Sequence, residues 1–357
     1  MSTGEPGRHP SPLPVDSLNM WEATTGLPEQ MAAALDWSGE HVLGITGPIT
    51  NLVVAGMGGS GIIGDLVAAV ATTEMVVPVV VSKSYDLPAY CGPDTLVLCI
   101  SFSGDTAETL EAAERAAAVG ASVVVVTSGG ALGRLADTEH WPVAPVPSDI
   151  PQPRAALGAM AVPALVALER LGLLEGITTR LAAAVEFLAR RRDVLAAEGG
   201  PPVAVARRIG RTFPLVHGSP GPSGVAALRW RSQVQENAKS PAFASLQPEL
   251  CHNELAGWGQ DGDVTRQVLT LVTLRHDDEH PEIARRFELV AEVMEEVVGD
   301  VVEVRTEASE PFARFFDLAL FGDLVSLHLA GREGVDPGPV PALADIKQRL
   351  ASGRAQE

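Results

Sequence analysis

Short, almost wholly apolar runs separated by longer stretches of helical spacing dominate both halves of the chain. In the first half the runs are residues 52–55 (LVVA), 75–82 (MVVPVVVS), 95–100 (TLVLCI) and 121–127 (ASVVVVT). Runs of this length without polar alternation read as strands buried on both faces. Between them lie an apolar, helix-like stretch at 62–70 and an alanine-rich one at 107–118. Strands alternating with helices predict a parallel sheet covered on both sides, with ligands gathered at the carboxyl ends of its strands. The second half repeats the plan, with FPLVHG (213–218) as strand, SPGPSG (219–224) as turn and a helix from Val225, offset by about 162 residues. Residues 268–274, 281–297 and 301–305 then echo the third strand, its helix and the fourth strand. The expected fold is α/β, two tandem doubly wound domains, each a parallel sheet flanked by helices. Residues 1–45 are expected as an N-terminal arm and helix, 46–175 as the first domain and 176–357 as the second with a C-terminal helix.

Residues 51–65 (NLVVAGMGGSGIIGD) place five glycines and a serine within nine positions between a strand and a helix. Gly56, Gly58, Gly59 and Gly61 permit positive φ and close approach of backbone to a ligand. The helix that follows turns free N–H groups and the positive end of its dipole toward the loop, which suits a phosphate. After the third strand, SFSGDT adds Ser101, Ser103 and Thr106 beside Gly104 and a second helix start. With Ser60, four hydroxyls converge on one crevice and make a neutral phosphate cradle. The corresponding place in the second half holds RHDDE (275–279), whose carboxylates repel phosphate, so only the first domain is expected to carry one. Residues 56–61 also match the dinucleotide fingerprint GxGxxG, which expects an acidic residue about 20 positions on to hold a ribose. Ser82, Lys83 and Ser84 stand there instead. Lys83 leaves open a 2′-phosphate and with it an NAD(P)-dependent oxidoreductase.

Charge and composition narrow the partners. A net charge of −19 disfavours nucleic acid and anionic membranes and requires any phosphate to be held by local donors. The chain of 357 residues exceeds one ordinary core. No apolar run reaches the roughly 18 residues of a bilayer span, and the polar, proline-rich N-terminus is unlike a signal peptide, so a cytoplasmic protein is expected. Cys91, Cys99 and Cys251 are too scattered for a disulfide framework or a metal cluster. Residues 1–15 read as disordered, and residues 16–37 as helical with Pro28 near a helix start.

GMGGSGIIGD and SFSGDTAET resemble the phosphosugar-binding loops of sugar isomerase (SIS) domains. QPRAALG (152–158), QENAK (235–239), CHNEL (251–255) and GVDPGPVPALADIK (334–347) are similar, in that order, to the bifunctional phosphoglucose/phosphomannose isomerases, a tandem-SIS branch. The resemblance runs from about residue 18 to 350. It implies an aldose-ketose isomerase that interconverts glucose 6-phosphate, and behind it mannose 6-phosphate, with fructose 6-phosphate through an enediol, without metal or cofactor. It makes Glu236 the base that moves a proton between C1 and C2, and Arg154 the cation that steadies the enediolate. His252 becomes the ring-opening histidine, supplied across the interface of a homodimer, and Lys347 a helper in ring opening on a C-terminal helix that returns to the active site. Ser60, Ser101, Ser103 and Thr106 become the phosphate ligands, with Gly59 giving backbone access. Without the family, Glu236 and Lys347 are ordinary helix-surface charges, His252 is structural and each serine is a helix cap.

The sequence departs from the family pattern at three places. Asp105 stands where asparagine is frequent, which weakens phosphate binding unless its side chain caps a helix or turns away. The segment 338–340 (GPV) lacks a nearby threonine associated with accepting both C2 epimers, and Val234 and Gln235 replace the usual aromatic and asparagine neighbours of the glutamate. A non-catalytic phosphosugar sensor therefore stays open beside the enzyme.

Overall fold

The computed structural model describes residues 9–38 and 44–354. The disorder expected of residues 1–15 falls in part, at 1–8, outside the described residues, and 9–15 run without helix or strand. The helix expected next is two, α1 (Met20–Thr25) and α2 (Leu27–Ser38), broken at Gly26, with Pro28 in the first turn of α2. Asp16 holds the start of α1 by accepting from the Met20 and Trp21 N–H groups at 2.7 and 2.9 Å.

The first sheet contains β1 (Asn51–Ala55), β2 (Val79–Ser82), β3 (Thr95–Ser101), β4 (Ser122–Thr127) and β5 (Val143–Pro145), all parallel in the order β2-β1-β3-β4-β5. Both faces are dry. Leu52 and Val54 pack with α3 (Gly58–Glu74) on one side, while Val53 and Ala55 pack with α4 (Ala107–Ala118) and α5 (Gly130–Glu139) on the other. The helices after β1 and β3 thus lie on opposite faces, which opens a crevice at the strand ends between these neighbours.

On the α3 side follow α6 (Leu157–Arg170), buried from Leu157 to Leu168, then α7 (Ile177–Leu195) and α8 (Pro201–Ile209). The second sheet, β6 (Phe213–Gly218), β7 (Phe243–Leu246), β8 (Leu269–Arg275) and β9 (Asp300–Arg305), is parallel in the order β7-β6-β8-β9, the same winding without a fifth strand. Its connections are α9 (Pro222–Gln233), α10 (Gly262–Val268), α11 (Pro281–Met294) and α12 (Pro311–Glu333), and the chain ends on α13 (Pro341–Arg354). The expected repeat is therefore present; β5 and β7 were not expected, and β7 takes in the second sheet the place that β2 has in the first.

One apolar core runs from the inner face of the first sheet through α3, α6, α9 and α12 to that of the second. A close contact within it is Trp230 of α9 against Gly322 of α12, where a Cβ would sit 2.2 Å from the indole nitrogen. Trp230 donates to the Leu318 carbonyl at 2.7 Å and stacks on Phe321 with ring centroids 5.8 Å apart. A buried tryptophan of this kind stabilises the contact by about 3–5 kcal/mol relative to alanine. The joint matters for function because the segment after α9 and the turn after α12 meet at the site described next.

Candidate active site

Two loops frame the crevice between β1 and β3. Met57, which precedes α3, and Thr106, which precedes α4, make no side-chain bond to their own helix, so no capping side chain covers the start of either helix on the crevice, although the Ser60 N–H already donates to the Met57 carbonyl at 3.0 Å. Of the four glycines expected to give backbone freedom, only Gly58 takes positive φ (53°). Gly56 and Gly61 are required by closeness instead, since a Cβ at Gly61 would lie 2.8 Å from the Gly56 carbonyl oxygen. The second loop closes on itself: Ser101 donates to Thr106 Oγ1 at 2.9 Å and accepts from the Gly104 N–H at 3.1 Å, while Ser103 accepts from the Asp105 N–H at 3.2 Å. Ser60 is buried with its hydroxyl 3.6 Å from the Met160 sulfur. Asp105 turns away from the crevice and accepts from the Ala131 N–H at 2.9 Å, capping α5.

Gly59 rests against the backbone of Arg154, with a Cβ position only 3.4 Å from the Arg154 Cα, and so joins the first loop to the 3-10 turn Pro153–Ala155. Arg154 is 4% exposed, and its fork gathers two distant segments besides its own. It donates through Nε to Asn237 Oδ1 at 2.7 Å, through Nη1 to Glu236 Oε2 and Gln152 Oε1 at 3.3 Å, and through Nη2 to the Pro337 and Gly338 carbonyls at 2.6 and 2.7 Å. Burial lowers the Arg154 pKa, and the Glu236 carboxylate opposes that shift.

Glu236 and Asn237 belong to a π-helical turn, Val234–Ala238, that ends α9. Such widened turns recur where a helix must present a side chain inward. Asn237 donates to Ser326 Oγ of α12 at 2.9 Å, and Arg229 holds the Arg154 carbonyl at 2.7 Å while pairing with buried Asp323 at 3.0 and 2.6 Å. Lys239 ends the turn in the left-handed region (φ 55°) and donates to the Glu236 and Pro337 carbonyls at 2.6 and 3.2 Å. Burial, helped by the nearby Arg154, lowers its pKa.

The structure thus brings Gly59, Arg154 and Glu236 together and closes Ser101 on Thr106. His252 does not join them: it lies exposed at the end of the 3-10 turn Glu249–His252, with no hydrogen bond or ion pair to Arg154 or Glu236. Lys347 lies exposed on α13, likewise without such a link to that pair. Leu343, Ile346 and Leu350 on the same helix are 48, 54 and 61% exposed.

Family models cover both halves, a SIS domain over residues 49–145 and a bacterial phospho-glucose isomerase C-terminal SIS domain over 199–350. A bifunctional phosphoglucose/phosphomannose isomerase of Caldicellulosiruptor bescii is 33% identical over 93% of this chain and 99% of its own length. The chain belongs to the bifunctional phosphoglucose/phosphomannose isomerase family. Another member, from Aquifex aeolicus, is 33% identical over 85% of this chain and 91% of its own. The fold is also similar to the C-terminal domain of glucosamine-fructose-6-phosphate aminotransferase from Francisella tularensis, at TM-score 0.66 and 15% identity over 89% of this chain and 96% of that one.

Family motifs single out Arg154 and Glu236 but pass over the residues that hold them. Gln152 and Asn237 stand inside QPRAALG and QENAK, and a charged residue in the apolar stretch 225–230 (VAALRW) is the available signal for Arg229. Pro337 and Gly338 stand inside GVDPGPVPALADIK, which does not mark their carbonyls as acceptors, and nothing local marks Asp323. Gly338 also packs on Leu18, 2.8 Å from its Cγ at the Cβ position, so the segment 338–340 is tied to the start of the chain.

Proposed function

We propose that the protein interconverts glucose 6-phosphate and mannose 6-phosphate with fructose 6-phosphate through an enediol. The observation that carries this reading is the Arg154–Glu236 pair at 3.3 Å, seated on the loop of Gly59. In it the phosphate lies in the β1–β3 crevice, on the helix starts of α3 and α4 and the hydroxyls of Ser60, Ser101, Ser103 and Thr106. Glu236, half-buried, takes the proton at C2 and returns it at C1. Arg154 stabilises the negative charge that develops on the enediolate oxygens, in a site whose burial strengthens that interaction. The Asp105 carboxylate is engaged at α5 and does not oppose the phosphate.

His252 and Lys347 act in ring opening in this proposal, His252 from the second subunit of a homodimer. The exposed histidine and the uncovered apolar stripe of α13 support an assembly in which both become buried. The two α/β domains are taken as 46–175 and 176–357, in a cytoplasmic protein. Against the nucleotide alternative, Lys83 is committed to Asp65 at 2.5 Å rather than presented to a 2′-phosphate. Among the described residues no helix is long and apolar enough to cross a membrane.

The test is an NMR assay of the purified protein with each hexose 6-phosphate in deuterated water. Conversion to fructose 6-phosphate with solvent deuterium at the migrating position is the expected result. Saturable binding without conversion or exchange would replace the isomerase by a sensor.

A further inference from the structure

Where a helix ends in the left-handed region the residue is usually glycine, but the π-helical turn ends there on Lys239, at φ 55°. What a lysine adds at this place is an ammonium group, and Lys239 Nζ reaches three carbonyls. It donates to the Glu236 oxygen at 2.6 Å, to that of Asn237 at 3.5 Å and to that of Pro337 at 3.2 Å. The first two belong to its own turn, as is common for a basic residue at a helix C-terminus. The third lies 98 positions away and joins the turn to the segment after α12.

The Pro337 carbonyl also accepts from Arg154 Nη2 at 2.6 Å, and Arg154 Nη1 lies 3.3 Å from Glu236 Oε2. Glu236, Lys239, Pro337 and Arg154 thus close a ring of hydrogen bonds, in which Glu236 is held by its main-chain carbonyl at one end and its carboxylate at the other. Packing alone does not aim that carboxylate, because the side chain is 30% exposed. We propose that Lys239 is a positioning residue for the isomerisation, which aims the Glu236 carboxylate at the carbons between which the proton moves. This rests on Glu236 being the base. Without the ammonium, Arg154 keeps Pro337, but the Glu236 main chain is no longer tied to the segment after α12. A base displaced by about 1 Å loses about a hundredfold in rate. None of the three Lys239 bonds reaches the phosphate-binding loops of the first domain, so the loss falls on kcat rather than on KM.

The test uses the full chain, with kcat and KM for glucose 6-phosphate and deuterium uptake at C2 in deuterated water. Lys239→Met keeps the stem and removes the donor, and Lys239→Gly suits φ 55° without strain. Both are expected to lower kcat by about ten- to a hundredfold, with KM held to within about twofold. Lys239→Arg, which has donors for both turns, recovers most of the rate. Lys239→Met added to Glu236→Gln slows that variant no further, because the base it aims is already gone. Wild-type kcat in Lys239→Met and Lys239→Gly overturns the proposal. So does full activity in Lys239→Gly alone, since the backbone conformation would then suffice, or a further loss on top of Glu236→Gln. A slow Glu236→Gln beside unaffected Lys239 variants rejects the positioning role alone, whereas wild-type exchange in Glu236→Gln rejects the isomerase reading and the positioning role with it.

Discussion

Arg154→Lys separates the charge of the site from its geometry. The guanidinium spans three short acceptors, Asn237 Oδ1 at 2.7 Å and the Pro337 and Gly338 carbonyls at 2.6 and 2.7 Å. A lysine keeps the positive charge but has one nitrogen on a flexible stem instead of a planar fork. It cannot serve both the Asn237 side and the Pro337–Gly338 side, so one or two buried acceptors lose their donor. At about 1–3 kcal/mol for each, and about 2–4 °C per kcal/mol for a domain of 150–250 residues, Tm falls by at least about 2 °C and by up to about 24 °C. Turnover falls as well, by about 10²–10³, the usual cost of losing one aimed donor to a developing oxyanion. Thermal unfolding by near-UV circular dichroism measures the first effect, and a coupled isomerase assay the second. A Tm unchanged to within about 1 °C would show that Arg154 does not clasp the turn after α12.

Three further outcomes follow from the same geometry. Mixing Glu236→Gln with His252→Ala subunits restores about a quarter of wild-type activity, because half of randomly paired dimers are mixed and each mixed dimer has one intact site; no recovery after mixing rejects the shared site. Gly104→Ala puts a Cβ 1.8 Å from the Gly129 carbonyl oxygen at φ +71°, and strain of about 1–3 kcal/mol or more raises KM about tenfold or beyond; wild-type KM and Tm would show that this loop conformation is not needed. Burial, with Arg314 nearby, holds the His276 pKa down to about 4, so the folded chain keeps the ring neutral while the unfolded chain protonates it from about 6.5. Wild-type stability relative to His276→Gln is therefore full above about pH 6.5 and falls as pH drops toward 4, and parallel pH profiles of the two would contradict this.

The doubly wound sheets were readable because strands buried on both faces leave predominantly apolar runs, as at 95–101 and 269–275. β5 and β7 were not, since VAP is three residues with a proline and FASL is a half-exposed edge strand with no β-branched run. The glycine loop was legible as a ligand loop, although its glycines act more through close approach than through positive φ. Arg154 and Glu236 were legible through family motifs. Their clasp was not, because a motif over 334–347 does not say that the carbonyls at 337 and 338 are acceptors, and no local pattern marks a buried Arg229–Asp323 pair 94 positions apart.

The central claim is that Glu236 moves the proton while Arg154 and the loops hold the substrate. Glu236→Gln tests it most directly, since the amide oxygen can still accept from Arg154 and the rest of the clasp is untouched. Deuterium uptake at C2 of glucose 6-phosphate in deuterated water is predicted to slow by about 10²–10⁴, with Tm and sugar-phosphate binding preserved. Exchange at the wild-type rate in this variant would contradict the account.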